Sequence, residues 1–127
     1  MWKQIALVAL GGGAGSVLRY LVSVWSSRYF LPVFPWGTFI VNITGCFIIG
    51  VLIGFLSRFG SLENEMRLLL VVGFCGGYTT FSAFSTETLK LLEAGNCILL
   101  ALYIVASILL GVIAVWGGVG LSKMIIQ

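Results

Sequence analysis

Long apolar runs separated by short polar interruptions set the plan of this chain. Four runs, at about 4–27, 37–57, 68–89 and 96–122, are long enough to cross a bilayer, since a spanning helix needs about 20 predominantly apolar residues. The first is interrupted only by Arg19, and the second carries no charge. The fourth is overlong, so tilt or a loosening at Gly117-Gly118-Val119-Gly120 is expected. The connections are short: 28–36 holds Pro32 and Pro35, 58–67 holds Glu63 and Glu65, and 90–93 is tighter still. No room remains for a soluble domain. The pattern predicts one all-α integral membrane domain over 1–127, four transmembrane helices per chain, acting within the bilayer.

The third run has a flaw in its middle. Gly76-Gly77 and then Tyr78-Thr79-Thr80-Phe81-Ser82-Ala83-Phe84-Ser85-Thr86-Glu87 place glycines and hydroxyls where a greasy helix should continue. A broken helix at membrane depth is tolerated only against protein or a polar cavity, and its freed backbone groups can bind ions. The spacing predicts that Gly76-Gly77 ends a first half-helix and that Thr79 or Thr80 caps a second. The first half then ends in free carbonyls, which favour a cation. With no carboxylate inside the break, Na⁺ fits better than a divalent ion. A packed kink satisfied by threonine hydroxyls is the competing reading.

Composition narrows the class. The chain has 127 residues, 60% of them hydrophobic and 9% charged, where a soluble domain carries roughly 25% charged. It has neither His nor Asp, which removes the usual general base and metal ligands and argues against an enzyme. The seven Lys and Arg form no basic patch, so no nucleic-acid partner is expected. Cys46, Cys75 and Cys97 lack metal-type spacing and read as small buried residues. The first run lacks a separate basic region and a clear cleavage site, so it reads as a retained helix. A chain this small is expected to self-associate to complete a transport path.

Four crossings put both termini on one side. That side holds Lys3, Arg58, Arg67 and Lys123; the other holds Arg28 and Lys90, plus Arg19 if it snorkels that way. Such a weak bias leaves two outcomes open, one fixed orientation or insertion both ways up with an antiparallel homodimer. Gly11 and Gly15, like Gly50 and Gly54, are four apart and predict close helix packing.

Several side chains can carry chemistry. Asn42, among Val and Ile in the second run, is either interhelical glue or a donor to an anion. Arg19 is costly at membrane depth and either faces a cavity or snorkels to the interface. Phe81 and Phe84 are three apart and share a helix face. Their ring edges are electropositive and can stabilise a small anion, although phenylalanine at this spacing is more often core or lipid-facing. Tyr103 and Ser107 are four apart and, with Asn42 and the hydroxyls of Thr80 and Ser82, can form a polar track. Glu87 either touches that path or sits at the interface beside Lys90.

Taken together, Gly11-Gly12-Gly13-Ala14-Gly15-Ser16-Val17-Leu18-Arg19-Tyr20, Gly37-Thr38-Phe39-Ile40-Val41-Asn42 and the break through Glu87 resemble, in order and spacing, the Fluc or CrcB-type fluoride channels along essentially the whole chain. The resemblance implies an antiparallel dual-topology homodimer in the cell (inner) membrane with two fluoride pores. In the same way it implies that Phe81 and Phe84 face fluoride edge-on, and that Asn42 is a pore asparagine. Arg19 would be a vestibule arginine, Glu87 the acid beside the phenylalanines, and Tyr103 and Ser107 the polar track. Gly76 and Thr79 match positions whose carbonyls hold a central structural Na⁺. The chain departs from some members in having Gly111 where a further serine stands, which shortens the hydroxyl track. The implied role is passive fluoride export relieving toxicity, because HF enters neutral and dissociates inside. A small dual-topology proton-coupled exporter would need an acid in the first span, where this chain has Arg19. A structural subunit of a larger membrane complex would conduct nothing alone.

Overall fold

A computed structural model describes residues 1–126 except Ser57 and Phe59. The described chain is helical, with four stretches long and apolar enough to cross a membrane. Helix α1 spans Trp2–Tyr29 and α2 spans Trp36–Leu56. The predicted end of the second run at Ser57 lies outside the described residues. After a 3₁₀ turn at Gly60–Leu62, the third stretch begins as Glu63–Met66, continues as a π-helix over Arg67–Cys75 and closes as Gly76–Tyr78; this continuous run over 63–78 is α3. Helix α4 is Phe81–Glu93, and α5 is Cys97–Ile126.

Local chemistry sets the helix ends. Phe30 turns extended, with φ −117° and ψ 144°, just ahead of Pro32, whose ring would clash with a continuing helix. Pro35 immediately precedes α2, and its carbonyl accepts from Phe39 N–H at 3.1 Å, a position where a missing N–H costs nothing. Gly95 takes φ +70° in the short α4–α5 turn, the left-handed conformation that glycine adopts without steric cost.

The expected loosening in the fourth run does not occur. Helix α5 runs unbroken for 30 residues, about 45 Å at 1.5 Å per residue, which exceeds the hydrocarbon thickness of about 30 Å and requires tilt or projection. Gly118 is used for contact instead, its Cα face against the Phe47 carbonyl and Val51 N–H of α2.

Small residues pair the helices as their spacing predicts. Gly11 and Gly15 are buried, and a Cβ on either would collide with the α3 backbone, at the Leu69 and Phe74 carbonyls. Across the other pair, a Cβ on Gly50 would strike the Val115 carbonyl of α5, and one on Gly54 would strike Ser122. The core is thus built as α1 on α3 and α2 on α5, with Val41, Leu56, Cys75 and Tyr103 fully buried. Of the three cysteines, Cys75 is buried and Cys46 half-buried, but Cys97 is exposed at the start of α5, which corrects the expectation that all three are buried.

The cap expected at Thr79 or Thr80 falls at Thr80, but the first half-helix ends at Tyr78, past the glycines. Gly76 and Gly77 are helical, and the chain extends at Thr79 (φ −77°, ψ 159°) and Thr80 (φ −150°, ψ 124°). Gly77 is a packing residue: a Cβ there would lie 2.9 Å from Gly12 Cα. Backbone cannot yield as a side-chain tip can, so Gly77→Val is expected to cost about 3 kcal/mol, the upper end of what overpacking typically costs. Size-exclusion and thermal unfolding in detergent check this. The expected result is loss of the monodisperse peak or a much lower midpoint, and wild-type behaviour would contradict the packing role.

Charged residues at one end agree with four crossings. Lys3 Nζ pairs with Glu65 Oε1 at 2.6 Å, Arg67 pairs with Glu63 at 3.0 Å, and Arg58 donates to the Ile126 carbonyl. The two termini and the α2–α3 connection therefore meet at the same end of the bundle.

Candidate functional site

The site is built around the break. At the end of α3 the Cys75 carbonyl accepts both Thr79 N–H and Thr79 Oγ1, each at 2.9 Å. Thr80 then caps α4, its Oγ1 accepting from Ala83 N–H at 3.3 Å, a standard way to satisfy a helix N-terminus. Asn42 of α2 completes the junction. Its Oδ1 accepts Thr80 N–H at 2.8 Å, and its Nδ2 donates to the Thr80 carbonyl at 3.0 Å. The backbone N–H can meet only the amide oxygen, which fixes the orientation of the amide. One Nδ2 proton is left over, since the group carries two. Asn42 is therefore glue at the break and still has a donor to offer, so its two readings are compatible.

Two cavities meet at Thr80. One, about 410 Å³, is lined by Ser16, Arg19, Tyr20, Ser23, Thr38, Thr80, Ser82 and Ala83. Arg19 therefore faces a polar space, and its Nη1 donates to the Thr79 carbonyl at 3.4 Å. The other, about 310 Å³, is lined by Asn42, Cys46, Thr79, Thr80, Phe81, Phe84 and Ser107 among others. Phe81 and Phe84 have ring centroids 5.9 Å apart and an interplanar angle of 38°. Phe81 is 79% exposed, so it stands out from the single chain. Ser107 Oγ is buried and has no hydrogen-bond partner among the described residues, an arrangement that costs free energy.

The other expected hydroxyls are divided differently. The Ser82 hydroxyl lies 3.3 Å from the Thr80 hydroxyl, and Ser82 lines the arginine cavity rather than the phenylalanine cavity. Thr86 and Thr88 bond back to the Ser82 and Phe84 carbonyls at 2.9 and 2.7 Å, so part of the hydroxyl run is spent within α4. Tyr103 is fully buried and donates to Glu87 Oε2 at 2.7 Å. Its ring packs on Phe84 at 5.0 Å and edge-on to Phe34 at 5.3 Å. Tyr103 thus supports Phe84 and Glu87, whereas Ser107 alone of that pair borders the phenylalanine cavity.

Glu87 is held from two helices. Thr38 Oγ1 donates to its Oε1 at 2.7 Å, while Tyr103 takes Oε2. Lys90 shares with it a smaller cavity of about 170 Å³, and each carboxylate oxygen accepts from one hydroxyl. Thr38 has no role in the sequence reading. The available signal is its place four residues before Asn42, on the same face of α2.

The carbonyls of Gly76 and Thr79 fit a hard cation in part. The usual helical partner of the Gly76 carbonyl is Thr80 N–H, which is diverted to Asn42. The Thr79 carbonyl meets Arg19 only at the long limit of a hydrogen bond and keeps a lone pair. Both donors are neutral oxygens, which suits a monovalent cation. One chain supplies two of the roughly six oxygens that hard cations take, so the set needs a second source.

The chain is similar to known proteins along most of its length. A family described as CrcB-like protein, Camphor Resistance (CrcB), matches residues 6–119. A relative from Agrobacterium fabrum is 51% identical over 94% of this chain and 96% of its own length. One from Rhizobium etli is 46% identical over 97% of this chain and 98% of its own. A third, from Flavobacterium psychrophilum, is 44% identical over 95% and 98%. All three carry the name fluoride-specific ion channel FluC.

Proposed function

Because this chain belongs to the CrcB-like family, we propose that it is a fluoride-selective passive channel that lets the membrane potential drive fluoride out of the cytoplasm and so relieves its toxicity. Its relatives bear the name of a channel, not of an enzyme. One observation carries the reading. Asn42, Ser107, whose hydroxyl has no partner among the described residues, and both phenylalanines line one cavity, which shares Thr80 with the cavity that holds Arg19.

Each residue then has a task. The Arg19 charge draws anions into the wider cavity. Thr80 lies at the passage between the two. Inside, the spare Asn42 N–H and the Ser107 O–H replace part of the ion's hydration shell, and the edges of Phe81 and Phe84 supply positive potential without a fixed charge. Weak, distributed donors suit a path that an ion must leave as well as enter. Thr38 and Tyr103 hold the Glu87 carboxylate and keep it from turning into the cavity that serves the anion. Vesicles loaded with fluoride should lose it with no nucleotide and no proton gradient; a requirement for either would move the protein to the coupled exporters.

The exposed Phe81 calls for a second wall, and the weak charge bias supports insertion both ways up. The proposed assembly is an antiparallel homodimer in the cell membrane with two pores. The Gly76 and Thr79 carbonyls of each copy then gather at the centre around a structural Na⁺. Exchanging Na⁺ for a larger cation during purification is expected to lower the thermal midpoint of the dimer and its fluoride flux together. Indifference of both to the cation would remove Na⁺ from the account.

A further inference from the structure

We propose that the Cys46 thiol lines the ion path of this chain and serves as a third donor beside Asn42 and Ser107; this rests on the channel reading above. Cys46 borders the same cavity as Asn42, Phe81, Phe84 and Ser107. It is four residues after Asn42, so both project from one face of α2. Across the cavity, Ser107 is followed one turn later by Gly111, which is buried and has no side chain. A Cβ at Gly111 would stand 3.5 Å from Cys46 Sγ. The thiol therefore occupies the level of the track at which α5 presents bare backbone.

The chemistry suits the place. A thiol is a weak S–H donor on a small apolar body. It can lower the barrier for a small anion leaving Ser107 without trapping it, as conduction requires. Ser107 Oγ, buried and without a hydrogen-bond partner among the described residues, belongs to a residue lining the same cavity and leaves a polar group unsatisfied there. Cys75 is buried at the end of α3 and does not border the cavity, and Cys97 is exposed at the start of α5, so only Cys46 has this position.

Fluoride efflux from proteoliposomes tests it with three substitutions and one control. Cys46→Ser keeps a donor of similar size, Cys46→Val fills the space without a donor, and Cys46→Ala removes both. If the thiol acts as a donor, Ser conducts within about twofold of wild type, while Val and Ala fall about tenfold with unchanged size-exclusion profiles. A packing role predicts the opposite order, with Val tolerated and Ser impaired. That order, or wild-type flux in Val and Ala, overturns the proposal. Cys97→Ser, outside the cavity, should conduct as wild type. Absence of fluoride efflux from wild-type vesicles would instead be a failure of the channel reading itself.

Discussion

Phe81→Ile and Phe84→Ile are each expected to lower fluoride efflux by about 100-fold, a barrier increase of roughly 2.7 kcal/mol, while leaving the protein folded. Isoleucine keeps much of the bulk and all of the apolar character of phenylalanine. What it lacks is the electropositive ring edge. Phe84 is braced by Tyr103 at 5.0 Å and by Phe81 at 5.9 Å, so its ring is held in place by neighbours. Phe81 is mostly exposed in the single chain, and its substitution should disturb the fold even less. Efflux recorded beside a size-exclusion profile separates conduction from folding. Wild-type flux in both variants would remove the ring edges from the mechanism, and aggregation of both would return the phenylalanines to a packing role.

Asn42→Ser is expected to cost both flux and stability. The amide makes two hydrogen bonds to Thr80, through its N–H and its carbonyl. Serine is too short to make both, and each buried backbone group left unsatisfied costs about 1–3 kcal/mol. The break then loses its tie to α2, and the cavity loses the spare Nδ2 proton. The expected result is at least about a tenfold drop in fluoride efflux together with a lower thermal midpoint. Reduced stability with full flux would make Asn42 glue alone. Reduced flux with full stability would contradict the tie to Thr80.

The spanning helices are legible in the sequence because a long apolar run has one inexpensive conformation in lipid. Helices Trp2–Tyr29 and Trp36–Leu56 therefore lie close to the predicted runs 4–27 and 37–57. The close pairing at Gly11 and Gly15, and at Gly50 and Gly54, is legible for a related reason: period and residue size are both local properties. The break is legible in part: Thr80 caps the second half-helix as expected, but the first half runs past the glycines to Tyr78. A glycine pair signals either interruption or close approach, and the choice at Gly77 is made by Gly12, far away in the chain. The threonines then become the break, since Asn42 diverts the Thr80 N–H from the helix. Tyr103 shows the same limit. Its spacing from Ser107 places both on one face of α5, but spacing cannot reveal that Glu87 accepts its hydroxyl. The role of Thr38 is hidden in the sequence because its partner is a carboxylate on another helix, although its phase with Asn42 is readable.

The central claim is selective passive conduction, and one recording tests it most directly. Purified protein is reconstituted into liposomes loaded with equal fluoride and chloride. A potassium ionophore sets the potential, and a separate electrode follows the efflux of each anion. The account predicts rapid loss of fluoride with chloride retained. Equal loss of both anions, or retention of both by well-folded protein, would contradict it.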